Sequence, residues 1–201
     1  MIKNIIFDIG NVLLTFRPKE LLSRITQDEN RINRFLSKVT SSNTWLRLDR
    51  GTISIDEGRE IFLKEYPEEE ELLIHFFDNW KELFAPIQNS IEILKKLKFN
   101  GYKTYALSNF VKEAFEYVSS LFDFFKSFDG MVISYKENVI KPEKEIYEIL
   151  LKRYDLRPRE CLFIDDVESF CLGAEKLGIN TILFDSKLDL KSELKKFEII
   201  I

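Results

Sequence analysis

The feature that most constrains this chain is an alternation. Five short apolar runs, Lys3 to Phe7, Lys103 to Leu107, Met131 to Ile133, Cys161 to Ile164 and Thr181 to Phe184, are separated by segments of helical periodicity. Strands interleaved with helices fold as a parallel sheet, because each crossover needs a helix to return the chain to the same edge. Ile91, Leu94 and Leu97 share one helical face, and Asn100-Gly101 supplies a C-terminal stop before the second run. Pro142 predicts the opening of another helix, with Ile146, Ile149, Leu150 and Tyr154 as its buried stripe. The segment Val167 to Leu177 stops at Gly178, and Lys187 to Phe197 reads as a final surface helix.

The alternation breaks once. Residues 15–88 contain no good strand but several helical patterns, Leu21 to Leu36, Ile55 to Lys64 and Glu68 to Lys81. That stretch is too long for one crossover. The expected architecture is therefore α/β: a doubly wound, five-stranded parallel sheet core from residues 1–14 and 89–201. An all-helical cap, residues 15–88, is inserted between strands 1 and 2. The acidic run Glu68 to Glu71 beside Pro67 reads as a helix first turn favoured by the helix dipole.

Composition excludes several classes. Among 201 residues, 34 acidic side chains against 30 basic ones leave a net charge of −4, which gives no electrostatic case for nucleic acid or membrane surfaces. The first apolar run, Ile5 to Phe7, is too short for a signal peptide, and no later run approaches a membrane span. Two cysteines and one histidine support neither a disulfide framework nor a familiar zinc site. The expectation is a soluble cytoplasmic protein, with a monomer slightly favoured.

Ligands of open α/β sheets collect at the carboxyl ends of the strands. The first run ends in Phe7-Asp8-Ile9-Gly10-Asn11-Val12, the second in Leu107-Ser108-Asn109 and the fourth in Phe163-Ile164-Asp165-Asp166, while Lys141 follows the third. An Asp that ends a strand commonly caps the next turn, and an Asp pair before a helix can cap it. Adjacent carboxylates are nonetheless costly unless a cation lies between them, and oxygen-only ligation suits Mg²⁺. Ser108 and Asn109 offer a hydroxyl and an amide to phosphate oxygens or, equally, a helix cap. Lys141 adds one positive charge. Each signal alone is weak; the ordered set Asp, Ser, Lys, Asp-Asp at successive strand ends is strong.

At these residues the chain resembles the haloacid dehalogenase superfamily of phosphohydrolases, over essentially its whole length. Asp8 is similar to the nucleophile of the first motif, Ser108 to the second, Lys141 to the third and Asp165-Asp166 to the fourth. More narrowly, the first motif, Leu48-Asp49-Arg50-Gly51-Thr52-Ile53-Ser54 in the cap, and Gly173-Ala174 with Leu177-Gly178 resemble a bacterial branch that includes glucose-1-phosphate and other sugar-phosphate phosphatases. The resemblance implies hydrolysis of a small phosphate ester, a sugar phosphate, through an aspartyl phosphate on Asp8. It implies Mg²⁺ held by Asp8, the Gly10 carbonyl, Asp166 and Asp165. Ser108, Asn109, Lys141 and the backbone N–H groups around Gly10 and Asn11 would hold the phosphate.

Two positions depart from the superfamily pattern. Its first motif usually has a second Asp, which protonates the leaving group and then activates water; here that position is Gly10. General acid–base assistance is worth about 10²- to 10⁴-fold, so alkoxide leaving groups should suffer more than phenolates. Asn11 stands ready to orient the leaving oxygen, or simply to form a turn. Phe170 replaces a usual Asn or Gly and reads as a packing residue. In the cap, Trp45, Arg47, Arg50, Trp80 and Lys81 are the candidates for substrate choice, and His75 reads as a helix residue. Cys161 and Cys171 read as small core residues. The rival reading is a phosphate-ligand binding or regulatory protein whose turnover was lost with Gly10. Hydrolytic dehalogenation is disfavoured by the Asp165-Asp166 pair and by the absence of an aromatic residue at position 10.

Overall fold

The computed structural model describes residues 1–201. Strands β1 (Asn4–Phe7), β2 (Lys103–Ser108), β3 (Gly130–Ile133), β4 (Cys161–Asp165) and β5 (Asn180–Leu183) form one sheet, all parallel, in the order β3-β2-β1-β4-β5. Every side chain of β1 and β4 is buried. Both faces of such strands are covered, so they read as continuous apolar runs rather than alternating ones. Ile5 and Phe7 point into the layer that contains Leu94 and Leu97, and Ile6 points the other way, toward Ile146, Tyr147 and Phe163.

Register fixes what lies at the sheet's carboxyl edge. Phe7 pairs with Ala106 on one side and Ile164 on the other, so Asp8 emerges level with the ends of β2 and β4. The chain winds from β1 to β2 and β3, then crosses over to β4 and β5. The order reverses at the β1/β4 boundary, which leaves a crevice above those two strand ends.

Between β1 and β2 every regular element is helical: Pro18–Leu22, Glu29–Thr40, Asn43–Asp49, Ile55–Glu65, Glu70–Asp78 and Gln88–Phe99, with 3₁₀ turns at Pro67–Glu69 and Trp80–Leu83. The pattern from Leu21 to Leu36 is two helices, because Asp28 ends the intervening loop and caps the second by accepting a hydrogen bond from the Arg31 N–H. The acidic run also divides. Glu70 and Glu71 occupy a helix first turn, whereas Glu68 and Glu69 precede it and pair with Lys38 at 2.8 Å and Arg31 at 3.0 Å, tying two helices together. The two crossings between insertion and sheet run side by side: the Thr15 N–H donates to the Ala85 carbonyl and the Ile87 N–H to the Leu13 carbonyl, both at 2.8 Å.

One helix start differs from its sequence expectation. After β3 comes a single helical turn, Ser134–Glu137; the longer helix that follows runs Lys144–Arg153, and Pro142 lies in the turn before it, after a cis Lys141–Pro142 peptide. The Lys141 backbone N–H and carbonyl are held by the Asn109 side chain, so the chain turns there before the helix begins. The buried stripe is Ile146, Tyr147 and Leu150, with Ile149 and Tyr154 half-buried. The final helix, Leu190–Lys196, is shorter than its pattern because Asp189 caps it, accepting from the Lys191 N–H. No helix is long and apolar enough to cross a membrane.

Candidate active site

Three carboxylates converge at the crevice. Asp8 leaves β1, Asp165 ends β4 and Asp166 follows it, and each offers an oxygen within 4.8 Å of the others. Lys141 enters from below, fully buried, and its Nζ donates to Asp8 Oδ1 at 2.8 Å and to Asp165 Oδ2 at 2.5 Å. Its ammonium also lies 4.8 Å from the centre of the Phe170 ring and 5.3 Å from that of Phe163. Phe170 therefore packs against the lysine.

The electrostatics follow from burial. Desolvation opposes the Lys141 charge, but Asp165 and Asp8 outweigh it and hold the amine protonated. Burial raises the Asp165 acid, Asp8 adds to the effect and Lys141 opposes it. Burial and Asp8 likewise raise the Asp166 acid. Three carboxylates against one ammonium leave two negative charges in a poorly solvated cluster, and all the donors are hard oxygens. That donor set fits a divalent cation such as Mg²⁺.

The first-motif loop is built around a left-handed residue. Asn11 has φ 52°, its Oδ1 accepts from the Phe16 N–H at 3.0 Å, and its Nδ2 donates to Asp166 Oδ2 at 3.0 Å. Its N–H is taken by the Leu14 carbonyl. Asn11 thus forms the turn and positions Asp166. Asn109 is engaged in a similar way: its Nδ2 donates to the Lys141 carbonyl at 3.1 Å and its Oδ1 accepts from the Lys141 N–H at 2.8 Å. Its amide holds Lys141, a role that spacing could not reveal. Ser108 is buried at the end of β2, with its hydroxyl 3.4 Å from the Asn109 carbonyl. At Gly10 an added Cβ would meet only Asp8 Oδ2, at 3.8 Å.

Above the carboxylates lies a cavity of about 190 Å³, walled largely by the helical insertion. Thirteen of its nineteen lining residues are hydrophobic, so its walls offer few hydrogen bonds. Phe16, Trp45, Phe76 and Phe84 form a continuous aromatic wall, with ring centres 6.0 to 6.2 Å apart. Trp80 also lines it, whereas the Lys81 ammonium lies over the Trp80 and Tyr117 rings. Arg47 is exposed outside this cavity, beside Lys38 and Tyr66. Arg50 forms an ion pair with Glu143 and donates to the Asn138 carbonyl at 3.3 Å. It is committed to holding the insertion on the sheet unit, not to a ligand. The His75 ring lies 3.2 Å from the Leu21 carbonyl inside the insertion. Both cysteines are buried and unpaired, and burial raises the Cys161 thiol to about 11 and the Cys171 thiol to about 12.

Asp49 is the lining residue that strand-end reasoning missed as a site residue. It ends the helix Asn43–Asp49, lines the cavity with Asp8 and Asp166, and its side chain has no hydrogen-bond partner. Burial raises its acid to about 7; Lys141 opposes that rise and Asp8 adds to it. Its signal in the sequence was the motif Leu48 to Ser54, which carried a resemblance but no role.

Comparison with known proteins agrees with this architecture. A sesquiterpene phosphatase of Aspergillus oryzae is 27% identical, over 96% of this chain and 95% of its own. A D-ribitol-5-phosphate phosphatase of Bacteroides thetaiotaomicron is also 27% identical, over 96% of this chain and 97% of its own. A haloacid dehalogenase family enzyme from the same bacterium, crystallised with magnesium and inorganic phosphate, superimposes with a TM-score of 0.73 at 24% identity, covering 96% of this chain and 99% of that one. The model of the haloacid dehalogenase-like hydrolase family matches residues 2–178, and with the parallel sheet and the helices between β1 and β2 this places the chain in that family of hydrolases.

Proposed function

We propose that the protein is a Mg²⁺-dependent phosphomonoester hydrolase that uses Asp8 as its nucleophile. The observation that carries this reading is the convergence of Asp8, Asp165 and Asp166 around Lys141 at the β1/β4 crevice. The two phosphatase relatives, and the magnesium and phosphate bound to the similar Bacteroides structure, support it. Asp8, Asp165 and Asp166, with the Gly10 carbonyl, would hold Mg²⁺, which would supply neutralisation of the phosphate charge. An Asp8 carboxylate oxygen attacks phosphorus, the ester P–O bond breaks, and water then releases phosphate from the aspartyl phosphate. Lys141 and Ser108 meet the phosphoryl oxygens on which charge gathers.

For the organic part of the ester, the cavity favours an apolar group. A sugar phosphate is the expectation from the narrower branch resemblance, but its hydroxyls would lose water against Phe16, Trp45, Phe76 and Phe84 and find few partners in exchange. A prenyl or aryl ester would bury the same surface favourably. The sesquiterpene phosphatase relative supports that choice.

The test is phosphate release from 4-nitrophenyl phosphate, farnesyl monophosphate and glucose 1-phosphate, with Mg²⁺ and with chelator, by wild type and by Asp8→Asn. Release that needs both Mg²⁺ and Asp8, with kcat/KM higher for the farnesyl than for the sugar ester, is the expected result. Turnover that survives Asp8→Asn refutes the nucleophile. Wild-type protein that retains ligands without turnover returns the reading to the binding or regulatory protein.

A further inference from the structure

Gly10 leaves a gap in the chemistry. An alkoxide is a poor leaving group, and neither Gly10 nor Asn11 carries an acid to protonate it. Of the other charged side chains at the crevice, Lys141 is clamped beneath Asp8, and Asp165 and Asp166 belong with Asp8 to the cluster that would hold the metal. Asp49 is different. It enters from the insertion rather than from the sheet, lines the same cavity as Asp8, and is engaged by no donor.

Its position is built, not incidental. The Asp49 carbonyl accepts from Ser134 Oγ at 2.5 Å, and Asn138 Nδ2 donates to the Arg50 carbonyl at 2.8 Å. The Arg50 guanidinium pairs with Glu143. Gly51 follows with φ 69°, packed so closely on Tyr135 that an added Cβ would lie 2.8 Å from the Tyr135 backbone oxygen. The three-residue turn is thus riveted to the sheet unit and holds the last residue of the helix over the crevice.

Two features favour a protonated carboxyl there. Apolar walls penalise the charged form, and the C-terminal end of a helix presents partly negative carbonyls. The acid accordingly stands near 7, where a group can both give and take a proton.

We infer that Asp49 is the general acid and base of this site, supplied by the insertion in place of the acid missing at Gly10. The inference rests on the phosphomonoesterase reading above. As Asp8 bonds to phosphorus and the ester P–O bond breaks, the Asp49 O–H gives its proton to the departing oxygen, which leaves as a neutral alcohol. The resulting carboxylate takes a proton from the water that attacks the aspartyl phosphate, giving inorganic phosphate, free Asp8 and protonated Asp49. Because the acid sits on the insertion, its alignment depends on the insertion being docked.

The test compares wild type with Asp49→Asn on 4-nitrophenyl, phenyl and benzyl phosphate, leaving groups of rising basicity and similar shape. The expected result is a loss in kcat/KM of about 10²- to 10⁴-fold for benzyl phosphate and less than about tenfold for 4-nitrophenyl phosphate. A burst of nitrophenolate ahead of phosphate is also expected, since water then lacks its base. Asp49→Ala, read alongside, should give the same ordering if the amide variant folds poorly. A loss uniform across the three esters, or no loss, overturns the role of Asp49 while leaving the phosphatase reading intact. Wild type that hydrolyses none of them overturns both.

Discussion

The guanidinium of Arg50, in the helical insertion, pairs with the carboxylate of Glu143, which stands just before the helix Lys144–Arg153 on the sheet unit. Both side chains are about one-third exposed, so the pair contributes only ~0–1 kcal/mol to folding. Its larger effect is geometric, because Asp49 precedes Arg50. Arg50→Ala is expected to shift the melting temperature little but to lower turnover of benzyl phosphate by about tenfold, with a smaller effect on 4-nitrophenyl phosphate. Parallel melts and a kcat/KM comparison check this; equal losses on the two esters would argue against a positioning role.

Lys141 is the counter-charge of the cluster. Lys141→Met leaves two buried carboxylates without it, so metal-free protein should lose ~3–5 kcal/mol of stability by denaturant titration. Mg²⁺ should restore part of that loss. Asn109→Ala frees the Lys141 backbone, and a fall in kcat of about tenfold with nearly unchanged Mg²⁺ affinity by calorimetry is expected.

Asp49 also couples stability to pH. Its acid lies above the ordinary carboxylate range, so the folded state binds the proton more readily than the unfolded chain. The stability this confers is full below the unfolded pKa, near 4, and is lost as pH rises through about 7. Asp49→Asn should therefore be the more stable protein at pH 8, by ~1–2 kcal/mol after allowance for solvent screening, and should show no such gain at pH 4. Urea titrations of both metal-free proteins at the two pH values measure the difference; a gap independent of pH would contradict the assignment.

Gly10 has room for the side chain it lacks, since an added Cβ meets only Asp8 Oδ2 at 3.8 Å. Gly10→Asp in the Asp49→Asn background is expected to recover at least about tenfold of the lost benzyl phosphate activity. Recovery confined to 4-nitrophenyl phosphate would mean that the new carboxyl does not reach the leaving oxygen.

The sequence showed the sheet and the polar residues at its carboxyl edge because both are local signals. A strand buried on two faces must be continuously apolar, so Ile5 to Phe7 and Leu162 to Ile164 announce themselves, and the polar residue that ends each run is the one set at the sheet's carboxyl edge. Asp8, Ser108 and Asp165-Asp166 stood out on that ground, and Lys141 was marked by its place after the third run. The start of the helix Lys144–Arg153 was not, because the bonds from Asn109 to the Lys141 backbone span 32 residues and periodicity carries no trace of them.

The insertion shows the division most clearly. Helical spacing pointed to helices between β1 and β2, but it is blind to which apolar face meets the sheet and which lines a cavity. Only packing decided that Trp45 and Trp80 wall the site, that Arg50 is consumed by Glu143 and that Arg47 lies outside. Only packing brought Asp49, 41 positions after Asp8, to the same cavity. The chain by itself determined which groups could react, because strand ends and residue types are written in order along it. Which carboxyl faces the leaving group was decided by docking, because that depends on contacts between segments whose separation in sequence carries no information about distance.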